Sequence, residues 1–321
     1  MDNIRVSIIC NTYNHEKYIE SALKGFIMQK TNFPFEVLVH DDASTDKTAD
    51  IIRLYENQYP DIIKPIYQNE NQFSQGIYAT DTFQMPRAKG DYIAFCEGDD
   101  CWIDENKLQK QFDLMESHPE TGICAHAANN EQNGEYVGKT MPYNEDTSFS
   151  VENVIINDGD FVPTASLFVR KSVFYDGYTF RSIIPCDYSL QIQGALHGGM
   201  LYLNDAMAVY RLQTSGSWTT DMIKNKDKHI KHYDTIINML DVFDKETSGK
   251  YSDIVEFQKN VYVFNKAVEL DDRSLYREAK NVLCSKRLAH CYNAYLPYLK
   301  KRKYIKFHFM WLTRLRNFIY R

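Results

Sequence analysis

Short apolar runs alternate with amphipathic stretches through the first two-thirds of the chain. Val6–Cys10, Phe35–His40, Ile63–Gln68, Tyr92–Cys96 and Gly122–Ala127 are apolar and bounded by turn residues, which predicts buried strands. Between them, Glu16–Met28, Lys47–Gln58, Tyr78–Arg87 and Glu105–Ser117 predict helices. Ile19, Ala22, Leu23 and Ile27 share one face of the first, and Leu108, Phe112 and Met115 one face of the last. Ser44 or Thr45 is placed to cap the second. Strands alternating with helices imply crossover connections and a mainly parallel sheet, hence an α/β fold. Polar residues follow each run, so one edge of the sheet gathers whatever chemistry the protein performs.

The pattern loosens after Ala127. Residues 132–147 are polar and contain Gly and Asn, which predicts a loop or mobile hairpin. Ser150–Asn157 is a short amphipathic stretch, and Thr164–Val169 turns from polar to apolar. A helix is expected over Asp187–His197, beginning at an acid, with strands over Met200–Asn204 and Ala206–Leu212. From about Thr219 strand patterns become scarce. Helical ones cover Asp221–Phe243, Ser252–Leu270 and Ser274–Tyr295, broken at Ser248-Gly249 and Asp271-Asp272. Two units are therefore expected: residues 1–218, and an all-helical appendage over 219–321 that offers a surface for homo-oligomer formation.

Composition narrows the function. A net charge of −6 argues against a protein that coats nucleic acid. The seven cysteines lie singly with no CxxC pair, as expected of reduced core residues in a cytoplasmic protein. The chain opens directly on a strand with no leader pattern, and no run reaches the length of a membrane span. Residues 300–321 combine many Lys and Arg, no acid, and aromatic residues such as Phe307 and Trp311. Such a helix either lies on an anionic membrane surface, here the inner face of the cytoplasmic membrane, or packs on the protein with a solvated basic face.

The densest chemistry lies in Asp91–Asp104, DYIAFCEGDDCWID. An apolar strand runs into Glu97, Gly98, Asp99 and Asp100. Three carboxylates around one glycine repel one another unless a positive charge sits among them. Mg²⁺ or Mn²⁺ suits such oxygen ligands and keeps positions open for substrate phosphates. The C-terminal end of a strand is also where open α/β sheets bind ligands. A surface turn or helix cap is the alternative for a DD pair alone.

Three motifs in order, NTYN after the first strand, HDDASTDKT after the second and CEGDDCW after the fourth, resemble those of the family-two glycosyltransferases of the GT-A fold. The resemblance runs to about Ser217. It implies a Rossmann-like, mainly parallel GT-A sheet, a nucleotide-sugar donor, a divalent metal, and transfer with inversion at the anomeric carbon. By this resemblance Asn11 and Tyr13 contact the nucleoside, and Asp42 accepts the uracil N3–H. Asp99 and Asp100 fall on the DXD-type metal motif, with Glu97 replacing its more common first Asp. Asp187 falls on the catalytic base. That role needs a carboxylate, because an acceptor hydroxyl must lose its proton as it attacks; an Asp heading a helix also serves as a cap.

Many family members carry a His two residues after the arginine that ends the last strand. This chain reads Arg211-Leu212-Gln213-Thr214, so the third metal ligand is open, with Gln213 offering only a carbonyl. Arg211 pairs with the diphosphate or forms a structural ion pair. Thr164, Ser166 and Trp218 are expected on the acceptor side, and residues 215–218 form either a lid or a plain connector. The expected acceptor is a glycan or lipid-linked hydroxyl, in bacterial surface polysaccharide or glycoconjugate synthesis. A nucleotidyltransferase is the rival enzyme, although NTYNHEKY is not a basic, Gly-rich triphosphate loop. A non-catalytic nucleotide- or sugar-binding protein is the rival outside enzymes.

Overall fold

The computed structural model describes residues 3–214, 222 and 225–291. One ten-stranded mixed sheet organises the chain. Its strands are β1 (Val6–Thr12), β2 (Phe35–Asp41), β3 (Ile63–Tyr67), β4 (Tyr92–Phe95), β5 (Cys101–Trp102), β6 (Ile123–Gln132), β7 (Glu135–Thr140), β8 (Thr147–Phe149), β9 (Phe168–Arg170) and β10 (Met200–Arg211). The order is β3-β2-β1-β4-β9-β6-β10-β5, with β7 beside β6 and β8 beside β10. β1, β2, β3 and β4 are parallel, as are β6 and β10, while β9 runs against both β4 and β6. The six strands sharing one direction thus end on the same edge. The expected hairpin over 132–147 forms in part, as β7 pairs back on β6.

Helices α1 (Ile19–Ile27), α2 (Thr48–Gln58), α3 (Lys107–Glu116), α4 (Val151–Asn157) and α5 (Asp187–Ala195) accompany the sheet. Asp46, rather than Ser44 or Thr45, caps α2: its Oδ1 accepts the Thr48 amide at 2.9 Å. The helix expected over 78–87 appears instead as a π turn, Thr80–Gln84, then a 3₁₀ turn, Met85–Arg87. Pro86 lacks an amide and crowds the preceding turn, which breaks the α pattern. The two strands expected over 200–212 are one strand whose register slips between Leu203 and Ala208, so a bulge accounts for the break in pattern.

Helices α6 (Lys226–Glu246), α7 (Ser252–Leu270) and α8 (Arg273–Leu283) follow. The third ends earlier than the sequence pattern suggested, because Ser285 is extended and a 3₁₀ turn takes over at Lys286. One apolar cluster joins Ile93, Ile123 and Val169 of the sheet to Phe243, Phe257 and Tyr262 of these helices. The helical region therefore shares the sheet's core. The boundary expected near 218 and the basic stretch 300–321 lie outside the described residues. No helix among the described residues is long and apolar enough to cross a membrane. All seven cysteines are unpaired thiols.

Beneath the acidic turn sits a buried lysine. Lys107 is fully buried, with its Nζ 3.8 Å from the centre of the Trp102 ring and 2.7 Å from Gln111 Oε1. Burial pushes its ammonium down to about 7. Below that pH it is charged in both folded and unfolded chains. Above it the folded chain sheds the proton, while the unfolded chain keeps it to about 10.4. The unfolded state then binds more protons, so this group's contribution to stability rises with pH from about 7 to about 10. The melting temperature of wild type minus that of Lys107→Met is expected to grow across this window; a flat difference would contradict the assignment.

Candidate active site

β1, β2 and β4 are parallel neighbours, so their C-terminal ends bring Asn11, Asp41 and the acidic turn together. The turn is pressed against β1. A Cβ on Gly98 would meet Thr12 Oγ1 at 2.4 Å, so only glycine fits between Glu97 and the two aspartates. Thr12 Oγ1 in turn lies 3.1 Å from His15 Nδ1. Burial keeps His15 low despite the nearby charges of Asp99, Asp46 and Asp41.

The end of β10 closes over the turn from the other side. The Arg211 amide donates to Asp100 Oδ1 at 2.8 Å, and the Thr214 hydroxyl donates to Asp99 Oδ2 at 2.7 Å. Arg211 is only 11% exposed at its side chain. Its guanidinium donates to Glu131 Oε1 at 3.0 Å and to the Asp99 carbonyl at 2.7 Å, and lies over the Tyr18 ring. It therefore braces the turn, and a diphosphate would have to displace one of these partners to reach it. The Gln213 carbonyl, considered as a metal ligand, is instead taken by Gln132 Nε2 at 2.7 Å. Gln213 has φ 58°, which turns its side chain away and brings Thr214 to Asp99 in its place. Arg211→Ala is expected to lower the melting temperature by a few degrees, about 1–3 kcal/mol, because it strands Glu131 and loosens the turn. Thermal unfolding checks this, and an unchanged midpoint would show that the brace carries no load.

In this small volume the Asp99 charge raises both of its acidic neighbours. Glu97 is pushed up to about 8, mainly by burial and then by the Asp99 charge; a hydrogen bond from Asn11 opposes this, and Asp187 adds to it. Asp100, 3% exposed, is raised well above the ordinary carboxylate range by burial and by Asp99. Among the described residues no group of three His, Cys, Asp or Glu is arranged to hold a metal. Asp99 and Asp100 are nonetheless adjacent hard-oxygen groups, and the charge of the first raises the second. Their chemistry fits an Mg²⁺ or Mn²⁺ ion, whose other positions water or a phosphate would have to fill.

Asp187 reaches the same centre from far along the sequence. It is the first residue of α5, and its Oδ1 accepts the Tyr188 amide at 2.8 Å. Its Oδ2 accepts the Thr164 hydroxyl at 3.0 Å, so Thr164 touches the candidate base. Ser166 does not. It is fully buried, its hydroxyl donates to the Pro163 carbonyl at 2.7 Å and its own carbonyl accepts Gln111, so it lines no surface. Trp218 and the rest of 215–218 lie outside the described residues. An open cleft of about 620 Å³, lined in part by Tyr78, Asp81, Phe174, Tyr175, Arg181 and Pro185, begins two residues before Asp187.

On the other flank, Tyr13 is 39% exposed at the end of β1. Asp42 holds the following loop: its carboxylate accepts the amides of Gln72 at 2.7 Å and Phe73 at 3.1 Å. Asn11 Nδ2 donates to Thr80 Oγ1 at 3.1 Å. Asn11 Oδ1 and Asp41 Oδ1 are buried acceptors with no hydrogen-bond partner among the described residues. Burial raises Asp41 above the usual carboxylate range. Ala43 sits at φ 62°, a conformation glycine would adopt without strain. The sequence reading missed His15, Glu131 and Thr214. Only His15, directly after NTYN, carried a usable signal; the other two depend on strand register.

Comparison with known proteins adds the family. Residues 7–177 match the model of "Glycosyl transferase family 2". An uncharacterized protein of Mycobacterium tuberculosis is 36% identical over 214 residues, 66% of this chain and 60% of that protein. The chain thus spans about 60% of the length of the curated relatives it matches first. Among solved structures, residues 1–349 of Staphylococcus aureus TarS in complex with UDP-GlcNAc superpose with a TM-score of 0.62 at 17% identity, covering 92% of this chain and 89% of that one. TarS is described as a poly(ribitol-phosphate) β-N-acetylglucosaminyltransferase, and is 31% identical over 118 residues, 36% of this chain and 19% of that protein. A mannosyltransferase from Pyrobaculum calidifontis in complex with GDP-Man and Mn²⁺ gives a TM-score of 0.51 at 14% identity, covering 94% and 88%. At such identities the likeness speaks to the fold, a GT-A sheet with helices after it.

Proposed function

Because the chain belongs to glycosyl transferase family 2, we propose that it moves a sugar from a UDP-sugar to a hydroxyl of a glycan or lipid-linked acceptor, with inversion. The observation that carries this reading is a hydrogen-bonded path. Asp187 Oδ2 accepts the Thr164 hydroxyl at 3.0 Å, and the carbonyl of the next residue, Ala165, accepts Trp102 Nε1 at 2.9 Å, so a carboxylate 90 residues from Glu97 stands close to the strand that follows the acidic turn. A donor between them has its diphosphate on the Asp99–Asp100 side and its anomeric carbon toward Asp187. The acceptor oxygen attacks that carbon, its proton passes to the Asp187 carboxylate, and the bond to the diphosphate oxygen breaks. UDP leaves with the electron pair.

The chain's own residues prepare each part of this. Thr164 and the Tyr188 amide fix the Asp187 carboxylate by one hydrogen bond to each oxygen. Asp99 and Asp100 would hold the Mg²⁺ or Mn²⁺ ion, which when bound supplies positive charge against the developing diphosphate. Tyr13 offers an exposed ring for the base, and the unpartnered acceptors of Asn11 and Asp41 suit N–H or O–H donors of a nucleoside. Asp42 shapes the loop beside it through the Gln72 and Phe73 amides and is the proposed acceptor for the uracil N3–H. The aromatic and charged lining of the cleft beside Pro185 suits an acceptor sugar. The solved complex of TarS with UDP-GlcNAc supports UDP as the nucleotide. TarS, named for a poly(ribitol-phosphate) substrate, supports a setting in surface polymer synthesis. Contact of residues 300–321 with a membrane surface belongs to the same proposal.

A thermal-shift screen of UDP- and GDP-sugars with Mn²⁺, followed by UDP-release assays, tests the reading. One or more UDP-sugars should raise the melting temperature and release UDP. Stabilisation by a nucleoside triphosphate with release of pyrophosphate would replace this function with nucleotidyl transfer.

A further inference from the structure

Asp158 ends α4 with φ 65° and ψ −179°. Only glycine occupies that backbone region without strain, so an aspartate there must be held by its surroundings. It is held from two sides. Asp158 Oδ1 accepts the Tyr262 hydroxyl at 2.5 Å and the Gly159 amide at 2.6 Å. Tyr262 belongs to α7 in the helical region, 104 residues later, and is buried.

The turn so pinned leans on the start of α5. A Cβ on Gly159 would lie 3.2 Å from Tyr188 Cβ and 3.5 Å from Asp187 Oδ1, so the glycine backbone itself packs beside that carboxylate. Gln191 Nε2 donates to the Gly159 carbonyl at 3.3 Å, and the Tyr188 hydroxyl donates to the Ile155 carbonyl at 2.7 Å. α4, the 158–159 turn and the first turn of α5 therefore form one hydrogen-bonded unit, tied to the helical region through the Tyr262 phenol as well as through the shared apolar core.

We propose that Tyr262 and Asp158 are positioning residues: the phenol pins Asp158, and the pinned turn holds Asp187 in the orientation that proton removal requires. The inference rests on the reading of Asp187 as the base. It gives the helical region a part in the reaction rather than in recruitment alone.

Three variants separate geometry from charge. Tyr262→Phe removes one hydroxyl and keeps the ring. Asp158→Gly removes the carboxylate but accepts the backbone, whereas Asp158→Ala accepts neither. Hydrogen exchange of the unliganded full chain gives the first readout: in Tyr262→Phe the amides of Gly159 and Tyr188 should exchange roughly tenfold faster, from local rather than global opening. Turnover with the nucleotide sugar chosen by the screen gives the second. Asp158→Ala and Tyr262→Phe should lower kcat by roughly tenfold, as misplaced catalytic groups do, with donor KM held within about twofold. Asp158→Gly should retain more activity than Asp158→Ala. In an Asp187→Asn background neither substitution should lower the residual rate further. Unchanged exchange in Tyr262→Phe, or wild-type kcat in both variants while Asp187→Asn is inactive, overturns the brace. Wild-type turnover of Asp187→Asn removes the base itself, and the exchange data then judge the brace as a structural link alone.

Discussion

Asp187→Asn should reduce turnover by about 10²- to 10⁴-fold, the range that a positioned general base contributes. The substitution is nearly isosteric. An asparagine oxygen can still accept the Tyr188 amide, and the Thr164 hydroxyl can rotate to accept from the new NH₂ group. What is lost is basicity, since an amide cannot take the acceptor's proton. In the proposed reading the donor is held by the opposite wall of the site, so the affinity for a UDP-sugar with Mn²⁺ should change by no more than about twofold. A continuous UDP-release assay, with calorimetry for binding, separates the two quantities. A fall in affinity matching the fall in rate would point to a disturbed fold, and an unchanged rate would remove Asp187 from the chemistry.

The second large effect concerns the acidic turn and has two opposite signs. Asp100→Asn should raise the melting temperature of the metal-free protein, because it removes a buried carboxylate repelled by Asp99 and Glu97 while keeping an acceptor for the Arg211 amide. The same change should weaken Mn²⁺ binding in the presence of UDP by more than the roughly 10- to 100-fold that loss of an outer-shell partner costs. Asp99→Asn should weaken the metal similarly, with Thr214 still able to donate to the amide oxygen. Calorimetric Mn²⁺ titrations and thermal unfolding read both signs without an activity assay. A mere structural lesion would lower stability and affinity together.

Much of this site was legible in the chain because apolar strands end where chemistry begins. β1, β2 and β4 were bounded correctly to within two residues, and parallel neighbours must present their C-terminal ends together. The motifs therefore met at one edge as their order suggested. What stayed hidden was register and side-chain direction. The sequence allows Arg211 either a diphosphate or a structural ion pair, and the alignment of β10 with β6 sets it opposite Glu131. No pattern within either strand encodes that alignment. Gln213 and Thr214 are adjacent, and a positive φ at Gln213 decides which of them meets Asp99. Ser166 followed Thr164 by two residues, yet a 3₁₀ turn gives one hydroxyl to Asp187 and buries the other. The helical region read as an appendage because its apolar faces give no hint of their partner; Tyr262 and Asp158 meet across 104 residues.

The central claim is that a sugar fits between the Asp99–Asp100 pair and Asp187, with its leaving group on the acidic side. The most direct measurement is a crystal structure with Mn²⁺ and a non-hydrolysable UDP-sugar, the ion located by anomalous scattering. The account predicts one anomalous peak bridging the diphosphate to Asp99 and Asp100, with the Asp187 carboxylate on the opposite face of the anomeric carbon. A peak elsewhere, or Asp187 on the diphosphate side, would contradict it.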